Sequence, residues 1–359
     1  MPVFGKRSIV DAARGVRTFL NRHRERIADQ NRELEHARQL LASKDRELAE
    51  LRAQLVRSGA GAEAGGIEPE NVVWIFGSGR SGNTWLSSMM EDVEGHAVWR
   101  EPNVGFLFGY LYYVWAHEGQ RGAKNFILGH YKESWLRSIR NFVLDEARTR
   151  FPTLSENEYL VVKEPNGSVG APLLMEALPE SRMILLIRDP RDVAASTMDA
   201  RRTGGWSYER NKRLYLDGQR VPADKDPDAF VANPANQYLR NVGNSKLAYD
   251  AHQGHKALVK YEDLRADTLG TMKRIYYTLG IPADEEELAR VVEKHSWENI
   301  PEENKGEGML YRKATPEGWR EDLTPEQAET VERITAPLLE EFYPYEGQSK
   351  SPPEKLPLN

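Results

Sequence analysis

One segment constrains the fold more than any other. Val72-Val73-Trp74-Ile75-Phe76 is an apolar run, and Gly77-Ser78-Gly79-Arg80-Ser81-Gly82-Asn83-Thr84 follows it. Trp85, Leu86, Met89, Met90 and Val93 then recur at helical spacing. A buried strand, a Gly-rich turn and a helix beginning at once after it predict an anion cradle. The turn's backbone N–H groups and those of the helix's first turn would converge there. Gly77 and Gly82 have the spacing of a phosphate-binding loop, but Asn83-Thr84 stand where the Walker version has Lys-Ser/Thr. Arg80, inside the loop, supplies the cation instead. Three glycines, three hydroxyls and an arginine in eight residues are more than a plain turn requires.

Further short apolar runs alternate with helical patterns: Ala97–Trp99, Tyr159–Val162, Met183–Ile187 and Ala257–Val259. This alternation predicts an α/β domain, a parallel sheet flanked by helices, over residues 71–345. Thr324-Pro325-Glu326-Gln327 reads as a capping box opening a C-terminal helix, which Pro337 should kink. Residues 346–359 read as a loose tail.

Ahead of the domain, Leu20, Ile27, Leu34, Leu41, Leu48 and Leu55 recur every seventh residue, a coiled-coil period. The second stripe is poor (His23, Gln30, Ala37, Lys44 and Leu51), so residues 1–58 read either as a weak coiled coil able to self-associate or as one exposed helix. Within residues 3–20 an apolar face carries Lys6, Arg7, Arg14 and Arg17, a pattern suited to peripheral membrane contact or to packing on its own chain. Residues 59–70, rich in Gly and Ala, read as a linker. No apolar run reaches 18 residues and the N-terminus lacks a secretory pattern, so a cytoplasmic, at most membrane-peripheral, protein is expected. Zero cysteines exclude a thiolate nucleophile and a thiolate metal site. A net charge of −6 argues against nucleic acid as a partner.

Two more segments carry charge of the right kind. Met183–Ile187 runs into Arg188-Asp189-Pro190-Arg191-Asp192, a strand, a turn and a helix with Ser196 one turn inside it. An Arg at a strand's carboxyl end and a Ser on the next helix can converge on one oxyanion; Arg188 can equally pair with Asp192. In Tyr311-Arg312-Lys313-Ala314-Thr315-Pro316-Glu317-Gly318-Trp319, a basic pair precedes a turn, which alone reads as a solvated loop.

Together the three segments resemble the sulfotransferases whose donor is 3′-phosphoadenosine 5′-phosphosulfate, PAPS. The resemblance covers about residues 71–345 in the family's order. It implies that Arg80, Ser81, Gly82, Asn83, Thr84 and Trp85 grip the 5′-phosphosulfate and that Arg188 and Ser196 grip the 3′-phosphate. Arg312 and Lys313, with Trp319, would close over that phosphate; Ala314 stands where the family has Gly. Lys260-Tyr261-Glu262-Asp263-Leu264 is similar to a family segment whose Tyr lies by the adenine. Ser296 stands at another adenine contact. No metal is implied. The phenol-acting members use a His in a segment resembling KTHLP, whereas Lys163-Glu164-Pro165 has none and looks more like the K-D-P of the tyrosylprotein-type branch. In that branch a Glu ends the second strand, 21 residues after the loop arginine. Here that position is Glu101, which becomes the expected general base, with Arg80 and Lys163 neutralising charge on the sulfuryl group and leaving phosphate. Glu101 can instead pair with Arg100 or a lid cation, and His117, His130 and Glu164 are the reserves. The acceptor is expected to be a hydroxyl of a carbohydrate, a lipid or a small molecule. Phe106, Phe108, Tyr110, Tyr112, Tyr113 and Trp115 would floor its pocket or simply pack, and residues 201–236 read as a polar excursion over it. Two rivals stay open: a P-loop kinase-like phosphotransferase, and a non-catalytic, nucleotide-sensing coiled-coil scaffold.

Overall fold

In the computed structural model the described residues are 67–116, 121, 123, 126–129 and 131–344, together with 39, 40, 43 and 44. The chain divides into two compact units, Met1–Ala64 and Gly65–Asn359. The architecture below is that of the second. Residues 39, 40, 43 and 44 are helical and exposed. The rest of the seven-residue repeat, the basic helix of residues 3–20, most of the linker and the tail lie outside the described residues.

Five strands form one parallel sheet in the order β2-β3-β1-β4-β5. They are β1 (Val72–Gly77), β2 (His96–Arg100), β3 (Tyr159–Lys163), β4 (Arg182–Ile187) and β5 (Lys256–Lys260). β1 reads apolar throughout because both faces of the sheet are covered, and all six of its residues are buried. Successive side chains point to opposite faces. Trp74, Phe76, Val162 and Leu185 join one core, against α2 (Lys132–Arg150), α4 (Ala232–Ala251) and α6 (Pro325–Phe342). Val73, Ile75, Val161 and Leu186 join the other, against α1 (Asn83–Glu91) and α5 (Thr268–Leu279). A third cluster packs Trp319 and Leu323 on Ala194 and Ala195 of α3 (Pro190–Arg201). At the start of α6 both hydrogen bonds of the Thr324–Gln327 capping box form, and the helix runs on through Pro337 to Phe342.

Two segments differ from expectation. Residues 106–115 form a π-helix rather than ordinary α-helix. It lies tight on the turn after β3: a Cβ on Gly109 would come 2.2 Å from the Gly170 Cα. Residues 201–236 are not a bare excursion but carry short helices at Trp206–Arg210, Lys212–Leu216 and Pro227–Phe230. Asp226 caps the last of these through the Ala229 N–H, and Tyr215 is buried beneath the segment.

Candidate active site

All five strands end on one edge, so Gly77, Arg100, Lys163, Ile187 and Lys260 deliver the following residues to one rim. In open α/β sheets that rim is where ligands bind. A cavity of about 1400 Å³ opens there.

The β1–α1 loop forms its centre. Gly77 N–H donates to the Ser168 hydroxyl at 2.9 Å, and the Asn83 side-chain amide donates to the Ser78 carbonyl at 2.6 Å. Asn83 thus closes the loop where the Walker lysine would otherwise project. Gly82 has φ +89°, and a Cβ there would lie 2.6 Å from the Tyr261 ring. Only glycine serves at that point. No side chain caps α1, so its first N–H groups stay available to an anion. Ser81 is fully buried, and among the described residues its hydroxyl makes no hydrogen bond and the buried Arg188 Nε is also unpartnered.

The second segment meets this loop directly. Arg80 Nε donates to Ser196 Oγ at 2.9 Å, and Arg188 donates to the Arg80 carbonyl at 3.2 Å. The Arg188 guanidinium lies 4.4 Å over the Tyr261 ring. It also stands 3.6 Å from Asp192, so the alternative pairing considered from sequence is present beside the convergence, not instead of it. Asp192 has a further task, accepting from the Glu317 and Trp319 N–H groups at 2.9 Å each. That anchors the third segment to α3. Burial, with Arg188 and Arg312 nearby, pushes Arg80 down to about 10. The guanidinium stays protonated at neutral pH, but the direction marks cations gathered without enough counter-charge.

Arg312 and Lys313 line the same cavity and are held in ion pairs with Asp322, Lys313 also with Glu321. Ala314 adopts φ +51°, taking with some strain the left-handed backbone that glycine would adopt freely. Arg265 Nε fixes that turn by donating to the Ala314 carbonyl at 3.1 Å.

On the other side of the loop, Lys163 Nζ lies 2.8 Å from Glu101 Oε1 and 3.2 Å from Thr84 Oγ1. Asn166 donates to Glu101 Oε2 at 3.2 Å. The partner of Glu101 is therefore Lys163, whereas Arg100 pairs with Glu91. Glu101 sits at φ +50°, a rare backbone state for a non-glycine residue. Glu164 points elsewhere: fully buried, it accepts the Asn103 and Gly105 N–H groups at 3.0 Å each. Burial pushes its carboxyl up to about 7 against those two donors. It holds the loop after β2 and does not line the cavity. His117 and His130 lie outside the described residues.

Arg80, Gly82, Asn83, Thr84, Trp85, Glu101, Lys163, Arg188, Ser196, Tyr261, Arg312 and Lys313 thus line one cavity. Ser81 lies beneath it. Ser296 does not line it, though His295 and Trp297 on either side do; Trp85 Nε1 reaches the His295 carbonyl at 2.9 Å. Sequence reasoning missed Ser168, Asn166 and Arg265. Asn166 and Arg265 directly follow segments already singled out, and that adjacency was the available signal. Ser168 carried none.

Comparison with known proteins places the chain in a family. Residues 70–343 match the sulfotransferase domain family. The omega-hydroxy-beta-dihydromenaquinone-9 sulfotransferase Stf3 of Mycobacterium tuberculosis is 26% identical over 150 residues, covering 42% of this chain and 34% of that protein. Cytosolic sulfotransferase 17 of Arabidopsis thaliana is 28% identical over 197 residues, covering 46% of this chain and 53% of that one. The chain thus spans about a third to a half of the length of these relatives. The crystal structure of sulfotransferase STF9 from Mycobacterium avium shares the fold, with TM-score 0.50 and 15% identity over 81% of each chain. With the family match extending over the whole described domain, the chain belongs to the sulfotransferase family.

Proposed function

We propose that this protein transfers the sulfuryl group of PAPS to a hydroxyl acceptor. One observation carries the reading: the β1–α1 cradle and the Arg188–Ser196 pair form a single surface, joined by the 2.9 Å contact of Arg80 with Ser196. Two anionic groups of one nucleotide can be held there at once. The residues fit such a donor. The orphaned Ser81 hydroxyl and Arg188 Nε want acceptors, and Arg80, Arg188, Arg312 and Lys313 supply cations.

In this reading Arg80, Ser81 and the N–H groups of Gly82, Asn83 and Thr84 hold the 5′-phosphosulfate. Arg188 and Ser196 hold the 3′-phosphate, and Arg312 and Lys313 exchange their carboxylate partners for it. Tyr261 and Trp85 flank the adenine. The donor supplies a sulfuryl group whose S–O bond to phosphate breaks as the acceptor oxygen bonds to sulfur. Glu101 accepts the proton of the acceptor hydroxyl. Lys163 touches both Thr84 in the cradle and Glu101, so it can stabilise charge on the leaving side while orienting the base. A carboxylate in this role supports kinship with the tyrosylprotein-type branch over the His-using phenol type.

A kinase-like reading finds less support, because Asn83 replaces the Walker lysine and its side chain is engaged by Ser78. Titration with adenosine 3′,5′-bisphosphate against ATP with Mg²⁺ separates the two. Tight binding of the bisphosphate with weak ATP binding is expected, and the reverse order overturns the proposal.

A further inference from the structure

The cavity holds more positive charge than the donor reading uses. Among the described residues ten Lys and Arg side chains line it, and Glu101, paired with Lys163, is the single carboxylate. The chain as a whole carries −6, so this concentration is local. Arg80, Arg188, Arg312, Lys313 and Lys163 are assigned above, and Arg265 braces the Ala314 turn. Four remain: Arg201, Arg210, Arg220 and Arg240.

Among the described residues these four have no carboxylate partner, although acids are close in the same segment. Asp199 pairs with Arg202, Glu209 with Lys212 and Asp217 with Arg213. Each of those acids is engaged by a basic residue that does not line the cavity. Arg201 ends α3 and is half-buried; burial and the neighbouring Arg220 both lower its proton affinity. Arg240 is half-buried on α4, with its Nε buried and unpartnered. Its neighbour Asn241 donates to the Pro165 carbonyl at 3.1 Å, which sets this face of α4 against the loop carrying Lys163. Arg210 and Arg220 are exposed at the rim. Unpaired guanidinium groups gathered around one cavity are unfavourable unless an anion joins them.

The neighbours narrow the chemistry. Gln219, Asn233 and Gln237 line the same cavity, and their side-chain amides make no hydrogen bond within the described residues. Phe106 and Tyr110, stacked on each other at 4.9 Å, also line it. Amides suit hydroxyls, ring faces suit the apolar face of a sugar, and guanidinium forks suit carboxylate or sulfate.

We propose that the acceptor is an anionic saccharide, whose carboxylate or sulfate groups are held by Arg201, Arg210, Arg220 and Arg240. The proposal rests on the sulfotransfer reading above and adds the substrate class of the same site.

The test uses the full chain and labelled PAPS with three tetrasaccharides. One contains glucuronate, one is its sulfated counterpart, and one is the carboxyl-reduced neutral form. Transfer to the charged acceptors, with at least tenfold lower kcat/KM for the neutral form, is expected. Comparing the first two shows whether carboxylate or sulfate is read. Arg240→Ala and the double variant Arg201→Ala/Arg220→Ala should each raise KM for the charged acceptor by about tenfold or more. Affinity for adenosine 3′,5′-bisphosphate should stay within twofold, which also shows that the variants fold. Arg213→Ala removes the same charge from the same segment outside the cavity and should leave KM unchanged. Equal use of the neutral tetrasaccharide overturns the proposal. So does transfer to none of the three by a protein that binds the bisphosphate, or an unchanged KM in both cavity variants. Failure to bind the bisphosphate at all would instead overturn the sulfotransfer reading.

Discussion

Glu101 and Glu164 show how little of a carboxylate's role its position in the chain reveals. Both flank the same loop. Glu101 directly follows β2 in strained backbone and lines the cavity between Lys163 and Asn166. Glu164 turns inward and holds the Asn103 and Gly105 amides. Glu101→Gln keeps size and hydrogen bonding but removes the proton acceptor. Turnover should fall by about 10²–10⁴, while bisphosphate affinity by titration calorimetry changes little. Near-normal turnover would move the base elsewhere. Glu164 predicts a pH effect on stability instead. Burial raises its folded-state value to about 7, above an unfolded value near 4.3. The protonated form is thus favoured by folding, and this group's contribution is fully present below about pH 4. It is lost as pH rises through about 7, on the order of 3 kcal/mol. Denaturant unfolding of wild type and Glu164→Gln between pH 5 and 8 checks this. The variant should lack that component of the slope, and parallel profiles would contradict it.

Elements were legible where periodicity and burial agree. Each of the five strands was marked by an apolar run, because a parallel sheet covered on both faces admits little else. The loop after β1 was equally plain, since glycines and hydroxyls at such density have few other uses. The π-helix of residues 106–115 was not legible. It packs against a segment 61 residues away in sequence, through Gly109 and Gly170, and no local pattern encodes that approach. Residues 201–236, read as a polar excursion over the pocket, do line the cavity; only their short helices were not legible, because each spans five residues or fewer and leaves no periodic pattern. The Gly109 contact makes a prediction of its own. Gly109→Ala places a methyl within the Gly170 backbone, so the chain must shift. A cost of about 1–3 kcal/mol is expected, read as a lowered midpoint of unfolding. Unchanged stability would show that the two segments separate readily.

For the whole molecule, the family match and the described domain coincide over residues 70–343, and the residues proposed to hold the donor lie entirely within it. Among the described residues no helix is long and apolar enough to cross a membrane. We propose that residues 1–58 form a separate associating module. Their deletion should leave bisphosphate affinity intact while lowering any oligomer mass seen by light scattering. A truncated domain that no longer folds would place that segment in the core. Of the site, the donor half was readable because phosphate recognition needs glycine, hydroxyl and arginine at fixed spacings. The proposed acceptor half was not, because Arg201, Arg210, Arg220 and Arg240 sit at no recognisable interval and become a group only when α3, α4 and the intervening helices fold around one cavity.

The central claim is that one continuous surface binds both phosphates of a 3′-phosphorylated nucleotide. Titration of adenosine 3′,5′-bisphosphate and adenosine 5′-phosphate into wild type and Arg188→Ala tests it most directly. The account predicts that the substitution weakens the bisphosphate by roughly 2 kcal/mol or more, since a charge-assisted contact is lost, and barely changes the monophosphate. Equal losses for both nucleotides would show that Arg188 does not read the 3′-phosphate, and would contradict the account.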